Sequence, residues 1–146
     1  MLIRRVTTKD WDELLRMRLD LWPDSTAADL ETELPAWLRD ESRATVFVAE
    51  REDGALAGFV EAGIRYFAED CETRDVGYVE GWYVDADVRL QGVGRQLVRA
   101  AEDWARSRGC AEMASDCYLW NEVSIAAHLR LGYEESSRLV HFRKKL

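Results

Sequence analysis

The chain has 146 residues, 47% hydrophobic and 33% charged, which fits one domain with a real core and argues against disorder. Its net charge of −8 makes nucleic acid an unlikely partner, because neutralising phosphates requires a basic surface. No apolar run is long enough to span a bilayer, three cysteines form no CxxC pair, and two histidines are too few for a His-rich metal centre, so membrane insertion, a disulfide framework and a zinc site are disfavoured.

The first segment, "LIRRV", reads as a short strand. With charges entering at Arg4, the N-terminus has no signal-peptide core, and a cytoplasmic location is expected. Thr7 and Thr8 offer caps for a helix whose apolar positions are Trp11, Leu14, Leu15, Leu19 and Trp22, and Pro23 stops it. Ser25 or Thr26 caps a second helix with the stripe Leu30, Leu34, Trp37 and Leu38. Pro35 within that stripe predicts a kink or two short pieces. "ATVFVAE" and "LAGFVEAGIRYF" read as strands joined at Asp53–Gly54, the second bent near Gly63. Residues 68–76 form a polar, acidic loop, and "GYVEGWYV" is the next strand. A helix follows with Leu97, Val98, Ala101, Trp104 and Ala105 on its apolar face, closed by Gly109. "CAEMASDCYL" reads as a strand with Cys110 and Cys117 as core thiols, "NEVSIAAHLRLG" as a short helix, and the final "YEESSRLVHFRKKL" as one or two strands. The order β-α-α-β-β-β-α-β-α-β predicts a single α/β domain over 1–146 built on a mixed sheet.

The most informative stretch is "VRLQGVG", from Val88 to Gly94, at the mouth of the long helix. Glycine there lets the backbone approach a ligand, and the free N–H groups of a first helical turn, with the helix dipole, attract anions such as phosphate. A dinucleotide fingerprint would need a third glycine where Leu97 stands, and a P-loop would need Gly-Lys-Ser/Thr. The two glycines alone are better explained as a tight turn, and it is their surroundings that point to a ligand.

Those surroundings are Arg89 with Gly92 and Gly94, in the pattern Q/R-x-x-G-x-G/A after a strand, and then Asn121 and Gly132-Tyr133 further on. Together they resemble the GNAT superfamily of acetyl-coenzyme A-dependent N-acetyltransferases, in element order over almost the whole chain. The resemblance implies a twisted, mostly antiparallel sheet with a splayed strand pair, and acetyl-CoA as cosubstrate without a metal. It also implies that Gln91, Gly92, Val93, Gly94 and Arg95, with Arg89 nearby, hold the pyrophosphate. Trp82, Tyr83 and Val84 would line the pantetheine arm, with the Val84 N–H as oxyanion donor, and Asn121 would lie near the thioester end.

Acetyl transfer to an amine needs a neutral nitrogen, hence a group to take or relay a proton. Glu80 lies mid-strand, four residues before Val84, and strand alternation would put both on one face, along a cleft. An outward-facing, solvated Glu80 is the plain alternative. "LWPD", "VEGWYV", "GCAEMASD" and "HFRKKL" further resemble the small aminoglycoside 6′-N-acetyltransferases. That resemblance implies Glu80 as base or relay at the 6′-amine, Asp116 on the acceptor's other amines, Trp22 and Tyr66 lining the antibiotic site, and a homodimer paired through C-terminal strands.

The acidic loop with Glu69, Asp70, Glu72 and Asp75 suits a polycation, although each is individually an ordinary solvated residue. Where many family members have a tyrosine as proton donor to the leaving thiolate, this chain has His128, either a donor or a structural residue. Tyr133 is expected in the core. Phe142 offers no hydroxyl, and solvent is the other source of that proton. Competing readings are a GNAT enzyme for a polyamine, an amino sugar or a protein N-terminus, and a non-catalytic acyl-CoA-binding module. The basic tail Arg143–Lys145 reads as a solubilising end.

Overall fold

A computed structural model describes residues 1–37 and 40–146, with the side chains of 34–37 outside the description. Five strands form one sheet in the order β1-β2-β3-β4-β5. β1 (Leu2–Arg5), β2 (Ala44–Glu50), β3 (Leu56–Arg65) and β4 (Val76–Val84) pair antiparallel in succession. β5 (Met113–Ser115) joins β4 in parallel. Four α-helices are described: α1 (Trp11–Leu21), α2 (Ala27–Trp37), α3 (Val93–Ser107) and α4 (Glu122–Arg130).

α1 and α3 cover opposite faces of the sheet. α3 drives Leu97, Ala101, Trp104 and Ala105 against Val60, Ala62 and Val79. α1 drives Leu14 and Met17 against Val46, Val48 and Phe59. The apolar spacing read from sequence matches α3, whereas α1 buries Leu14 with Met17 and Arg18, and Leu15 and Leu19 of the expected stripe are only partly buried. The entry to α1 is tied by charge. Asp10 accepts the Thr7 N–H at 2.7 Å and two Arg4 guanidinium bonds at 2.8 Å each, and Arg4 also binds Glu50. The Arg4 hydrogen bonds hold the Asp10 carboxyl down at about 2 against the penalty of burial.

Several expectations need correction. α2 runs in one piece as far as Trp37, so of the kink or two short pieces expected at Pro35 the second does not occur; Leu38 lies outside the described residues. No register shift falls at Gly63: β3 carries an extra residue at Ala57 against β2, the shift against β4 falls between Glu61 and Ala62, and β3 ends at Arg65. The strand expected over 110–119 shrinks to three residues, and Cys117 is exposed while Cys110 is buried. Residues 133–146 carry no strand. Leu139, Val140 and Phe142 are exposed there, and the segment pairs with none of the described strands. Apolar alternation is a necessary condition for a strand, but the strand itself requires a partner.

Candidate active site

β4 leads into the loop through a 3₁₀ turn, Ala86–Val88. Two loop residues take left-handed backbone, Leu90 at φ 62° and Gly92 at φ 86°. The glycines serve different purposes. Gly92 faces open space and is needed for its backbone angle, whereas a Cβ on Gly94 would lie 2.7 Å from the Trp82 indole. Helix α3 thus sits directly on β4. The Gln91 side-chain amide closes the loop on the Asp87 carbonyl at 3.0 Å, and Arg89 Nε donates to the Val84 carbonyl at 2.9 Å. The hydrogen bond from Gln96 N–H to the Gly92 carbonyl, 3.1 Å, starts the helical ladder. The N–H groups of Val93, Gly94 and Arg95 precede that ladder and point out of the helix end, with no acidic residue in the first turn. This is an anion cradle made of backbone.

Beside it the sheet opens. β5 pairs with β4 only from Gly77 to Val79 and then departs. The edge of β4 from Glu80 to Val84 is therefore left without a strand partner among the described residues, alongside the cradle. An extended ligand arm fits such an edge, taking hydrogen bonds as a neighbouring strand would.

The acceptor side is built on a β-bulge. Glu61 pairs with Gly81 but Ala62 pairs with Val79, so Glu80 is the extra residue. This overturns the expected alternation. Val79, Trp82 and Val84 pack toward α3, while Gly81 lies under Trp22 and Tyr83 packs on Phe59, toward α1. Glu80 shares the α1 face with Tyr78 and Arg65, and its side chain is not on the face of Val84's. Arg65 grips Glu80 with both arms, Nε to Oε1 at 2.9 Å and a terminal nitrogen to Oε2 at 2.6 Å. The same guanidinium lies 3.5 Å from the centre of the Tyr78 ring. The Tyr78 hydroxyl donates to Asp116 at 2.6 Å, and burial, then Asp116, push its pKa up. Glu80 and Asp116 are thus brought together by Arg65 and Tyr78, neither of which stands out in the sequence.

Under this cluster lies a buried ion pair, Arg18–Glu61, both residues under 5% exposed. Arg18 also stacks on Trp22 at 4.9 Å and reaches Glu33 at 3.0 Å. Burial raises the Glu61 carboxyl to about 7, opposed by Arg18. The signal in the sequence was a lone charge in the apolar run "FVEAG"; Arg18, one of two arginines in "LRMRL", carried no such signal.

This geometry can now be set beside known proteins. A model of the acetyltransferase (GNAT) family matches residues 11–133. The chain belongs to the GNAT family. It is similar to an aminoglycoside N(6′)-acetyltransferase type 1 of Klebsiella aerogenes, 45% identical with 99% of this chain and 97% of the relative covered. A relative of the same name from Stenotrophomonas maltophilia is 41% identical, covering 99% and 93%. Among solved structures, aminoglycoside 6′-N-acetyltransferase AAC(6′)-IG from Acinetobacter haemolyticus superposes with TM-score 0.93 at 34% identity, covering 100% and 99%. AAC(6′)-Iy in complex with the bisubstrate analogue CoA-S-monomethyl-acetylneamine gives TM-score 0.92 at 30% identity, covering 99% and 98%.

The other GNAT-derived candidates are distributed around this frame. Trp22 packs against Phe59 and over Gly81, forming a wall of the α1 face. Tyr66 is 70% exposed, with Arg74 5.7 Å from its ring centre. Asn121 caps α4, its Oδ1 accepting the Ser124 N–H at 3.1 Å. Its amide nitrogen remains for a ligand. His128 sits between Trp82 and Tyr133, edge-on to each with ring centres 5.6 Å apart. Its Nδ1–H donates to the Ser124 carbonyl at 2.7 Å, so in the neutral ring Nε2 accepts from the Ser115 hydroxyl, 2.8 Å away. Tyr133 is half-buried and bonds Glu102 at 3.2 Å. In the acidic loop, Asp75 pairs with Arg43 at 2.9 Å. Among the described residues no group of three or more His, Cys, Asp or Glu is arranged to hold a metal ion.

Proposed function

We propose that this GNAT protein transfers acetyl from acetyl-CoA to the 6′-amine of aminoglycosides in a ternary complex, and so confers resistance. The observation that carries this reading is that Arg65 and Tyr78 link Glu80 of β4 to Asp116 just beyond β5, beside a strand edge and anion cradle suited to coenzyme A. Two carboxylates held at separate points match a polyhydroxylated frame bearing several ammonium groups. The relatives' names point to the same acceptor.

In this mechanism acetyl-CoA supplies an activated thioester carbonyl. The N–H groups of Val93, Gly94 and Arg95, with Gln91 and Gly92, hold its pyrophosphate, and Arg89 adds positive charge at the same mouth. The free edge of β4 at Trp82, Tyr83 and Val84 takes the pantetheine arm, and Asn121 orients its reactive end. The Val84 N–H stabilises the developing oxyanion. Glu80 accepts or relays the proton that the attacking ammonium must lose. The nitrogen–carbon bond forms, the carbon–sulfur bond breaks, and the departing thiolate takes a proton from solvent, or from a protonated His128 relayed through the Ser115 hydroxyl. Asp116 binds a second ammonium, and Trp22 and Tyr66 flank the sugar rings.

The decisive assay follows free coenzyme A release from acetyl-CoA with kanamycin A, or in parallel with spermidine. Turnover with kanamycin A, acetylated at its 6′-amine, is expected. Turnover with spermidine alone would make the enzyme a polyamine acetyltransferase, and acetyl-CoA binding without turnover on any amine would favour the non-catalytic module.

We also infer that residues 1–146 act as one domain and that two copies pair through the C-terminal segment. The single sheet supports the first point, and the exposed Leu139, Val140 and Phe142, which pair with none of the described strands, support the second. Sedimentation equilibrium should give twice the chain mass, and removal of residues 134–146 should halve it. A cytoplasmic setting agrees with three free cysteines, and no helix among the described residues is long and apolar enough to cross a membrane. Cell fractionation checks this.

A further inference from the structure

Glu80 does not stand alone in its strand. A carboxylate placed by a bulge has several rotamers open to it, and an exposed side chain would sample them all. Here Arg65 removes that freedom. Its Nε and one terminal nitrogen occupy one hydrogen-bonding site on each Glu80 oxygen, at 2.9 and 2.6 Å. Such a fork fixes the carboxylate plane and leaves the remaining lone pairs of both oxygens free. Arg65 is itself fixed, because its guanidinium lies over the Tyr78 ring, 3.5 Å from its centre, and Tyr78 is anchored by Asp116.

We propose that Arg65 is the positioning residue of this enzyme: it presents Glu80 to the acceptor amine in one orientation and, through Tyr78, ties Glu80 and Asp116 into one unit of set spacing. The proposal rests on Glu80 acting at the amine. A carboxylate gripped in this way receives the amine proton on its outer lone pairs while Arg65 stays in place. The spacing of the two carboxylates then selects acceptors whose amines match it. Lysine cannot replace Arg65, since an ammonium has no fork and stacks poorly on a ring.

The test is steady-state kinetics with kanamycin A and acetyl-CoA on the wild type, Arg65→Met, Arg65→Lys, Glu80→Gln and the Arg65→Met/Glu80→Gln double variant. Arg65→Met should lower kcat about tenfold, in keeping with loss of a positioned, charge-assisted bond, and leave the acetyl-CoA KM unchanged. Arg65→Lys should recover only a small part of the loss. In the Glu80→Gln background, Arg65→Met should cost nothing further, because it acts through Glu80. Wild-type kcat in Arg65→Met, full rescue by lysine, or losses that multiply in the double variant would each overturn the proposal. A general loss of fold would raise the acetyl-CoA KM and lower the melting temperature together, and that result too counts against a positioning role. If Glu80→Gln alone turns over at the wild-type rate, the failure lies in the assignment of Glu80.

Discussion

The two faces of the sheet do different work with different materials. Toward α3 the surface is apolar throughout, with Val60, Ala62, Val79 and Leu97 in contact, and the binding features at its end are backbone groups: the N–H groups of the helix mouth and the free edge of β4. Toward α1 the core is crossed by charge. Arg18–Glu61 lies buried, Arg65–Glu80 stands half-exposed above it, and Arg4–Asp10 pins the helix start. The lesson is that a site for a cosubstrate can be made from backbone geometry, whereas a site for a polycationic acceptor has to be made from side-chain charges that are themselves held by counter-charges.

If this division is right, the variants should separate cleanly. The largest effect is expected from Arg18→Met, which leaves Glu61 buried without its partner and should cost about 3–5 kcal/mol in denaturant unfolding. A loss under ~1 kcal/mol would mean that the α1 face does not depend on its charges. Next comes Glu80→Gln, expected to lower kcat about a hundredfold with little change in the acetyl-CoA KM, if Glu80 handles the proton. Asp10→Asn should cost about 2 kcal/mol near neutral pH, since the folded-state pKa of about 2 lies below the ordinary value of 3.8. The sign follows directly: this contribution is full above about pH 4 and is lost as the pH falls toward 2. The gap between wild type and Asp10→Asn in melting temperature should therefore close in acid. On the other face, Gly94→Val would push a side chain into the Trp82 indole, displacing the helix mouth and raising the acetyl-CoA KM about tenfold. If it raised the kanamycin KM instead, the two faces would not be separable in the way described.

The two sites were unequally legible. Gly92 and Gly94 could be read directly, because a positive φ and a close helix–strand approach each demand glycine at one position in a local segment. Glu80 and Asp116 were named from a resemblance, but their common fixture, Arg65 with Tyr78, was not. The pattern of period two placed Glu80 with Val84, and a single bulged residue moved its side chain to the other face. Nothing local to "YVEGWYV" announces that bulge, since it belongs to the pairing of β3 with β4. The C-terminal segment shows the same limit, its alternating residues reading as strand although they pair with none of the described strands.

What the sequence alone determined was therefore what depends on near neighbours: the apolar stripe of α3, the turn at Asp53–Gly54, the glycine mouth, and the family those elements resemble. What only the tertiary structure decided was the company each charge keeps. Arg18 meets Glu61 across 43 residues and Tyr78 meets Asp116 across 38. Such pairs arise from strand register and helix docking, and register is set by the whole sheet at once.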